Sequence, residues 1–359
     1  MPLGIWLAAA LALAWAWPAT TTAQSPELRE RQRQAAEGLA VGNLEPAARA
    51  AEQALRLAER ELGPGHAETA RVLASLADIY RAQGRFDEAE PVYKRALVAA
   101  EAALGPAHID NARILSHLAQ LYVGSDREAD AEALYRRALG IAEEALGTEH
   151  DEVASLLVGY AQLHEVGGRP TQAVPLYRRS LAIWEKAGLD RAEAAQTLQA
   201  LALIAEQQQR LGDAEVFYKR ALPIWEKLMG ADHPSVAATV ASLAQVTRLQ
   251  GRLADSEPHY RRAAAIAERT QGPSHPDFAF ALGGLAGILA GQGRHSDALP
   301  LFERARTIAE TVLGSDHPDV ALILEGEVRS LIALGRGADA ASKQARADAI
   351  RAKSSPKRD

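Results

Sequence analysis

The sequence predicts an all-α protein built as a solenoid of about eight helix pairs. Glycine recurs in similar turns along the 359-residue chain, at spacings of 42, 42, 41, 42, 42 and 42 residues. These glycines are Gly63, Gly105, Gly147, Gly188, Gly230, Gly272 and Gly314. Between the turns, apolar residues follow the i, i+3, i+4, i+7 spacing of one helix face. A constant period of this length is typical of a repeat protein, in which each unit packs on its neighbours.

Each repeat contains two predicted helices. Residues 73–85, LASLADIYRAQGR, carry one apolar stripe of helical period, and residues 86–105, FDEAEPVYKRALVAAEAALG, carry a second. Both segments run into glycine, which readily adopts the left-handed conformation that ends a helix. The pattern weakens at both ends of the chain, where Gly38 and Gln344 stand in place of aromatic residues. End repeats need polar outer faces, so this loss supports a solenoid that is capped at both ends.

Composition excludes several classes of protein. The formal net charge is -6, which argues against a nucleic-acid-binding protein, because such a protein needs a basic surface. The chain contains no cysteine, so disulfides, thiolate metal sites and cysteine nucleophiles are excluded. The sequence also lacks a P-loop, a G-x-S-x-G motif, an H-E-x-x-H motif and a glycine-rich dinucleotide turn. We therefore predict a protein without enzymatic activity and without a cofactor.

The amino terminus predicts export. Residues 1–23 carry no charged side chain, and the apolar run from Ile5 to Trp17 has the length of a signal peptide rather than of a membrane span. Small residues before Gln24 predict cleavage after Ala23, with the periplasm as the destination. The alternative is an uncleaved anchor, and a membrane is expected as a partner in that case alone. The predicted organisation is a signal peptide at 1–23, a solenoid at 24–353 and a disordered tail at 354–359.

Small and aromatic residues alternate in a fixed order within each repeat. The first two complete repeats show it as Ala77, Tyr80, Ala89, Tyr93 and Ala96, and as Ala119, Tyr122, Ala131, Tyr135 and Ala138. This order resembles the tetratricopeptide repeat, and the 42-residue period with its G-x-x-H-P turn resembles the kinesin-light-chain type of that family. The resemblance covers roughly residues 28 to 350. It implies antiparallel helix pairs wound into a right-handed solenoid that binds a protein or peptide partner.

Six histidines occupy one position in successive turns. They are His66, His108, His150, His233, His275 and His317. A shared metal ion would need two imidazoles about 2 Å away from it, whereas packed helices lie about 8–10 Å apart. The fourth turn has Arg191 at this position, and a cation rarely replaces a metal ligand. We therefore predict structural histidines that bond to loop carbonyls, and no metal site.

A pair of basic residues recurs on each second helix and has two interpretations. The pairs are Lys94-Arg95, Arg136-Arg137, Arg178-Arg179, Lys219-Arg220 and Arg261-Arg262. They could form a basic ridge by which an envelope adaptor binds anionic polymer or lipid. Glutamates four residues before the first base of several pairs favour an ordinary solvated helix face instead. Trp184 and Trp225 likewise could form a partner patch, but their position favours filling space between repeats.

The resemblance implies that the first helices of the repeats line a concave face for a partner. The exposed positions on that face would lie six and three residues before the small residue of each first helix, and one and four residues after it. The predicted partner-binding residues are Arg71, Asp78, Arg113, Gln120, Gln162, Gln199, Gln245 and Phe280. The chain lacks the lysine and asparagine pattern with which some family members clamp a carboxy-terminal carboxylate. It also lacks the asparagines of kinesin-light-chain repeats, so neither ligand class is transferred to it.

The sequence therefore predicts an exported scaffold that binds a protein or peptide without catalysis. Glutamine amides can both donate to and accept from a peptide backbone, and Phe280 offers an apolar anchor. Glycines surround Phe280 in FAFALGGLAGILAGQG. They either keep the face open for a partner or allow the last repeat to pack closely, and the sequence leaves both interpretations open.

Overall fold

A computed structural model describes residues 24–124 and 127–354 of the protein. These residues contain sixteen α-helices and no strand. The helices are α1 (Pro26–Ala40), α2 (Leu44–Glu61), α3 (Ala67–Ala82), α4 (Phe86–Leu104), α5 (Ile109–Tyr122), α6 (Glu128–Leu146), α7 (Asp151–Val166), α8 (Pro170–Ala187), α9 (Ala192–Gln207), α10 (Leu211–Met229), α11 (Pro234–Leu249), α12 (Leu253–Thr270), α13 (Pro276–Gly291), α14 (His295–Leu313), α15 (Pro318–Ala333) and α16 (Gly337–Ser354). The prediction of an all-α protein is confirmed.

The predicted signal peptide, residues 1–23, lies outside the described residues, as do residues 355–359 of the predicted tail. Residue 354, which begins that predicted tail, is the last residue of α16. Among the helices that the structure describes, none has both the length and the apolar character that crossing a membrane requires.

The chain forms two compact units, one ending at Ala187 and the other starting at Gly188. They are called here the N-terminal unit, with α1 to α8, and the C-terminal unit, with α9 to α16. Within each unit, an odd-numbered helix packs mainly on the even-numbered helix that follows it, and then on the even-numbered helix before it. Successive odd-numbered helices also touch, as α5 touches α7 and α13 touches α15. Stacked helix pairs of this kind confirm the predicted solenoid.

Small residues bring the paired helices close together, and aromatic residues fill the remaining space. In the pair formed by α3 and α4, Ala77, Ala89, Ala96 and Tyr93 are all fully buried. The methyl side chain of alanine lets helix backbones approach, and the tyrosine ring then restores close packing between them. Trp184 in the N-terminal unit and Trp225 in the C-terminal unit are buried as well. Both side chains therefore lie inside the protein and form no surface patch, and filling of the space between repeats stays a prediction.

The turn histidines cap the amino-terminal ends of the odd-numbered helices. Gly105 follows the end of α4 with a positive φ of 86°, and three residues later His108 caps the start of α5. Nδ1 of His108 accepts a hydrogen bond of 3.2 Å from the backbone N–H of Asp110. The same bond, 3.1–3.2 Å long, joins His66 to Glu68, His150 to Glu152, His233 to Ser235, His275 to Asp277 and His317 to Asp319.

A helix leaves its first amide groups without a partner, and this cap satisfies one of them. The histidines are thus structural, as predicted. They accept from a helix amide, however, and the expected bond to loop carbonyls was the wrong interaction. In the fourth turn, the Arg191 side chain makes no such capping bond.

Candidate functional site

In each unit, the candidate site is the face of the odd-numbered helices that carries the predicted partner-binding residues, called here the groove face of that unit. The N-terminal unit holds five of these residues, and the C-terminal unit holds three. In the N-terminal unit they are Arg71 and Asp78 on α3, Arg113 and Gln120 on α5, and Gln162 on α7. In the C-terminal unit they are Gln199 on α9, Gln245 on α11 and Phe280 on α13.

Arg71 and Arg113 lie in a chain of ion pairs that joins α3, α5 and α7. Arg71 donates to Asp110 at 3.0 and 3.2 Å, and Arg113 donates to Glu152 at 2.5 and 2.8 Å. Asp110 also accepts from Arg113 at 3.2 Å, and Glu68 accepts from Arg71 at 3.3 Å. The three carboxylates of these ion pairs, those of Glu68, Asp110 and Glu152, are all buried. These arginines therefore join neighbouring helices, and their role in binding a partner stays a prediction.

Asp78 holds a polar cluster on the groove face of α3. Its Oδ1 accepts a 2.5 Å hydrogen bond from the Tyr93 hydroxyl and lies 2.8 Å from Nδ1 of the buried His117. Nη2 of Arg81 lies 3.9 Å from the same oxygen. Burial acts to raise the pKa of Asp78, but His117, Arg81 and Tyr93 outweigh burial and hold that pKa below its ordinary value. Asp78 is thus a charged anchor for its neighbours.

Gln120 and Gln162 are exposed on successive odd-numbered helices of the N-terminal unit. Each follows the small residue of its helix, Ala119 or Ala161, and both of these alanines are fully buried. The packing of the alanine fixes the direction of the next side chain, which points away from the core. The structure therefore exposes two amides on this face, and an amide can both donate and accept.

In the C-terminal unit, the predicted glutamines make hydrogen bonds within the protein. The Gln199 amide donates to Thr239 Oγ1 at 2.8 Å, and its oxygen accepts from the Trp225 indole N–H at 3.1 Å. The Gln245 oxygen accepts from the Tyr260 hydroxyl at 2.9 Å. A partner would have to compete with these bonds, so the two glutamines differ from the exposed pair in the N-terminal unit.

Phe280 is 47% exposed, and Leu322 on α15, which occupies the same position one repeat later, is 58% exposed. Leu322 was not among the predicted partner-binding residues. The sequence contained the signal for it, because the register that selects Phe280 also selects residue 322 when it is extended by 42 residues. Exposed large apolar side chains at equivalent positions of adjacent repeats form the apolar part of the groove face.

The glycines of α13 serve two different purposes. A Cβ atom on Gly284 would lie 2.2 Å from the Tyr260 ring, so this glycine allows the tyrosine to pack against the helix. A Cβ atom on Gly287 would meet nothing within 4 Å, and one on Gly283 would meet only Ala305 Cβ at 4.0 Å. Close packing explains Gly284, whereas Gly283 and Gly287 leave the groove face open beside Phe280.

The recurring basic pairs on the even-numbered helices bind glutamates. Lys94 bonds to Glu90 at 2.7 Å within α4, and Arg95 bonds to Glu59 on α2 at 2.8 Å. Similar bonds within one helix join Arg136 to Glu132, Lys219 to Glu215 and Arg261 to Glu257. Bonds between repeats, here called the 36-residue ladder, join Arg95 to Glu59, Arg137 to Glu101, Arg179 to Glu143, Arg262 to Glu226, Arg304 to Glu268 and Arg346 to Glu310. These glutamates offset much of the charge on the predicted ridge.

Metal-binding side chains do not converge in the part of the chain that the structure describes. No group of three or more His, Cys, Asp or Glu side chains there could hold an ion. The capping histidines use Nδ1 as an acceptor for a helix amide, and this use leaves one nitrogen per ring.

Comparison with known proteins identifies the repeat. The tetratricopeptide repeat profile matches seven overlapping stretches, residues 39–102, 75–144, 110–186, 152–227, 193–269, 236–311 and 277–351. No curated protein sequence matches the chain.

Several solved structures are similar. BtubC (BKLC) from P. vanneervenii shares 26% identity over 67% of this chain and 92% of that chain, with a TM-score of 0.55. A putative kinesin light chain from P. anserina with TPR-like repeats shares 22% identity over 57% of this chain and 98% of that chain, with a TM-score of 0.50. The apo quorum sensor NprR from B. thuringiensis shares 12% identity over 92% of this chain and 89% of that chain, with a TM-score of 0.60. The last two similarities show a shared fold alone. Together with the family profile, which covers most of the chain, these findings show that the chain belongs to the tetratricopeptide repeat family.

Proposed function

We propose that the chain is an exported scaffold that binds an extended segment of a protein or peptide partner on its groove face, without catalysing a reaction. One observation carries the proposal. Gln120, Gln162 and Phe280 are exposed at repeating positions on the groove face, although the residue before each of them is buried. Amides can bond to a peptide backbone, and an exposed aromatic ring can anchor an apolar side chain.

The alternative is an envelope adaptor that binds anionic polymer or lipid through the basic ridge. Such binding depends on cations that are free to contact the polymer. Most bases of the ridge bond to a glutamate, as Lys94 does to Glu90 and Arg137 to Glu101. This pairing favours the groove face over the ridge as the binding surface.

The test is cross-linking and affinity capture from the native host with three variants of the full chain. The first removes the N-terminal part of the groove face by Gln120→Ala and Gln162→Ala, and the second removes the C-terminal part by Phe280→Ala. The third, a matched surface control, carries Lys94→Gln and Arg136→Gln on the ridge. We expect one partner to be lost from a groove variant and kept by the ridge variant. Loss from the ridge variant alone, with strong salt dependence, would support the anionic adaptor instead.

Export is tested in the same material. The charge-free segment 1–23 and the small residues before Gln24 support cleavage by a signal peptidase. We expect mass spectrometry of the protein recovered from the periplasmic fraction to find Gln24 as its first residue. Recovery of a chain that still begins at Met1 in the membrane fraction would favour the uncleaved anchor.

A further inference from the structure

The last even-numbered helix, α16, has less apolar contact than the even-numbered helices before it. From α4 to α14, each even-numbered helix carries one buried aromatic side chain at the same position, namely Tyr93, Tyr135, Tyr177, Tyr218, Tyr260 and Phe302. In α16 this position holds Gln344, which is only partly buried. Ala340, Ala347 and Ile350 supply the buried side chains among the described residues of α16. These side chains remove less apolar surface from water than an aromatic ring adds.

Ion pairs hold α16 against the helices before it. Its sequence contains four basic residues, and each of them pairs with a carboxylate of α14, of α15 or of the turn between them. The pairs are Lys343 with Glu327, Arg346 with Glu310 at 2.7 Å, Arg351 with Glu325, and Lys353 with Asp316 at 2.8 Å. The contact of α16 with the rest of the C-terminal unit is therefore largely electrostatic.

Glu327 of α15 is the most deeply buried of these carboxylates, with 0% of its side chain exposed. Its Oε1 accepts from Nε of Arg306 on α14 at 2.7 Å, and its Oε2 pairs with Lys343 on α16. The equivalent positions in α4, α5 and α6 carry three apolar side chains that pack together in the core, namely Leu97, Leu118 and Leu134. The last helix pair thus has a buried ion triad where an earlier part of the chain has leucines.

This exchange makes α16 easier to separate from α15. A buried ion pair contributes less to stability than apolar side chains of similar size, because its charges regain water when the contact opens. The side chains of Arg346 and Lys353 are 41% and 64% exposed, so dissolved salt screens their pairs. Elements with few buried apolar contacts open at a lower free energy than the whole domain. We therefore expect α16 to open before the rest of the C-terminal unit, and more readily at high salt.

Opening of α16 uncovers a surface with a definite chemistry. The apolar side chains of α15 that now pack with α16 are Val320, Leu324, Val328 and Leu331. The four carboxylates that pair with α16 would lose their cations at the same time. An apolar stripe accompanied by carboxylates is complementary to a helix that carries one apolar face and several bases. Leu322, in contrast, stays exposed on the groove face while α16 is in place.

We propose that α16 is a displaceable cap, and that the surface of α14 and α15 beneath it docks a basic amphipathic helix of a partner protein. Charge complementarity selects this partner, because each base of α16 already has its carboxylate on that surface. The docking surface is a second binding surface of the chain, and it does not depend on binding at the groove face.

Hydrogen exchange of the full chain tests the displaceable cap. The amides of Ala347 and Ile350 in α16 should exchange faster than that of Ala305 in α14, and added NaCl should increase the difference. An apolar variant, with Arg306→Leu, Glu327→Leu and Lys343→Leu, should slow exchange in α16 about tenfold or more. A loosened variant, with Lys343→Gln and Arg346→Gln, should speed it and needs no repacking of the core. Equal exchange of α14 and α16 in wild type, unchanged in the loosened variant, would overturn the cap.

Fluorescence anisotropy tests the docking surface with a labelled peptide that has the sequence of residues 337–354. The peptide competes with the resident α16, which has a high effective concentration because it is part of the same chain. It should therefore bind the loosened variant about tenfold more tightly than it binds wild type, and the apolar variant more weakly than either. A control peptide, in which glutamine replaces the four bases, should bind none of them. Phe280→Ala, added to the loosened variant, should leave binding unchanged.

Three outcomes would overturn the docking surface. Equal binding of the basic and the control peptide would show that the carboxylates do not select the helix. Loss of binding on addition of Phe280→Ala would move the peptide to the groove face. Dimers of the wild-type chain that dissociate when the peptide is added would make a second copy of α16 the occupant, in place of a partner protein; mass photometry measures them.

Discussion

The N-terminal and C-terminal units share one fold, and one repeated position of their odd-numbered helices carries different residues in the two units. The N-terminal unit has Arg71 and Arg113 there, each bonded to a buried carboxylate on the next odd-numbered helix. The C-terminal unit has Ala238, Phe280 and Leu322 at the equivalent places, and the last two are exposed. The alanine and tyrosine core common to both units sets the helix packing, so this position is free to carry either an ion pair or an apolar side chain.

As a result of this difference in sequence, the groove faces of the two units expose different kinds of side chain. In the N-terminal unit, Arg71 and Arg113 bond to the next odd-numbered helix, and the exposed groups are the amides of Gln120 and Gln162. In the C-terminal unit the corresponding side chains remain on the surface and form an apolar strip beside Gly283 and Gly287. A ligand of the N-terminal groove face would therefore meet polar groups, and a ligand of the C-terminal groove face would meet apolar groups.

The largest expected effect breaks the ion-pair chain. Asp110→Ala removes the carboxylate that Arg71 and Arg113 share and leaves both cations without it in a buried site. Because three charged hydrogen bonds are lost while Arg71 keeps Glu68 and Arg113 keeps Glu152, we expect the free energy of unfolding to fall by about 3 kcal/mol, measured by urea denaturation. The backbone N–H of residue 110 remains, so the cap from His108 is preserved.

The matched control is Asp277→Ala, at the equivalent position in the C-terminal unit. Asp277 is partly exposed and accepts from Gln271 at 3.0 Å. Its removal should cost about 1 kcal/mol or less. Equal losses in the two variants would contradict the idea that the units join their helices differently.

A smaller effect tests the two purposes of the α13 glycines. Gly284→Ala forces a methyl group into the Tyr260 ring and should destabilise the C-terminal unit by about 1–3 kcal/mol. Gly287→Ala meets no neighbour and should instead stabilise the helix by up to about 1 kcal/mol. Thermal denaturation of both variants checks the opposite signs. A loss of stability in Gly287→Ala would show that the open face beside Phe280 is packed.

The histidine caps test what the two units share. His66→Ala and His233→Ala each remove one bond to a helix amide, at 3.1 Å in both units, and each should cost about 1 kcal/mol. Asparagine at either position should restore most of the loss, because its side-chain oxygen can accept from the same amide. Hydrogen exchange of the Glu68 and Ser235 amides measures the cap directly. Unchanged exchange at both amides would remove the capping role.

The smallest expected effect is a loss of stability at low pH. Burial acts to raise the pKa of Glu90, but hydrogen bonds, first of all from Lys94, lower it to about 2. At Glu215 the bond from Lys219 has the largest effect, and the pKa is likewise lowered to about 2 although burial opposes it. Because the pKa of each carboxyl is lower in the folded than in the unfolded protein, each carboxyl stabilises the folded protein fully above about pH 4.5. This contribution is lost as the pH falls through about 2. NMR titration of the two side-chain carboxyls should find both values, one in each unit. A midpoint near 4.5 for either carboxyl would show that its ion pairs do not persist in solution.

The helices and turns could be predicted because the 42-residue period repeats the same local signals seven times. Each Gly and each helical stripe acts within a few residues, so the sequence alone specifies it. The sideways direction of Arg71 could not be predicted, because its carboxylate partner lies 39 residues away on another helix. The register placed Arg71 and Gln120 on the same face, and the different surroundings of the two side chains then gave them different roles.

The hydrogen bonds of Gln199 and Gln245 also could not be predicted from the sequence. Their partners, Trp225 and Tyr260, lie on even-numbered helices, and the meeting of these side chains depends on the packing angle within each pair. The pattern that selected these glutamines contained no information about that angle. The exposed Leu322, in contrast, followed from the register and needed only one more repeat.

The 36-residue ladder has a consequence for how such a chain can change its length. Each arginine of the ladder finds its glutamate one repeat earlier, as Arg95 finds Glu59 and Arg137 finds Glu101. If residues 96–137 were deleted as a block, Arg95 would still follow Glu59, and the downstream Arg179 would still follow Glu143 at the same separation. Insertion of a duplicated 42-residue block preserves the pairing in the same way. Recombination can therefore add or remove whole repeats while every remaining arginine of the ladder keeps its glutamate, and the stack of repeats can lengthen by one repeat at a time.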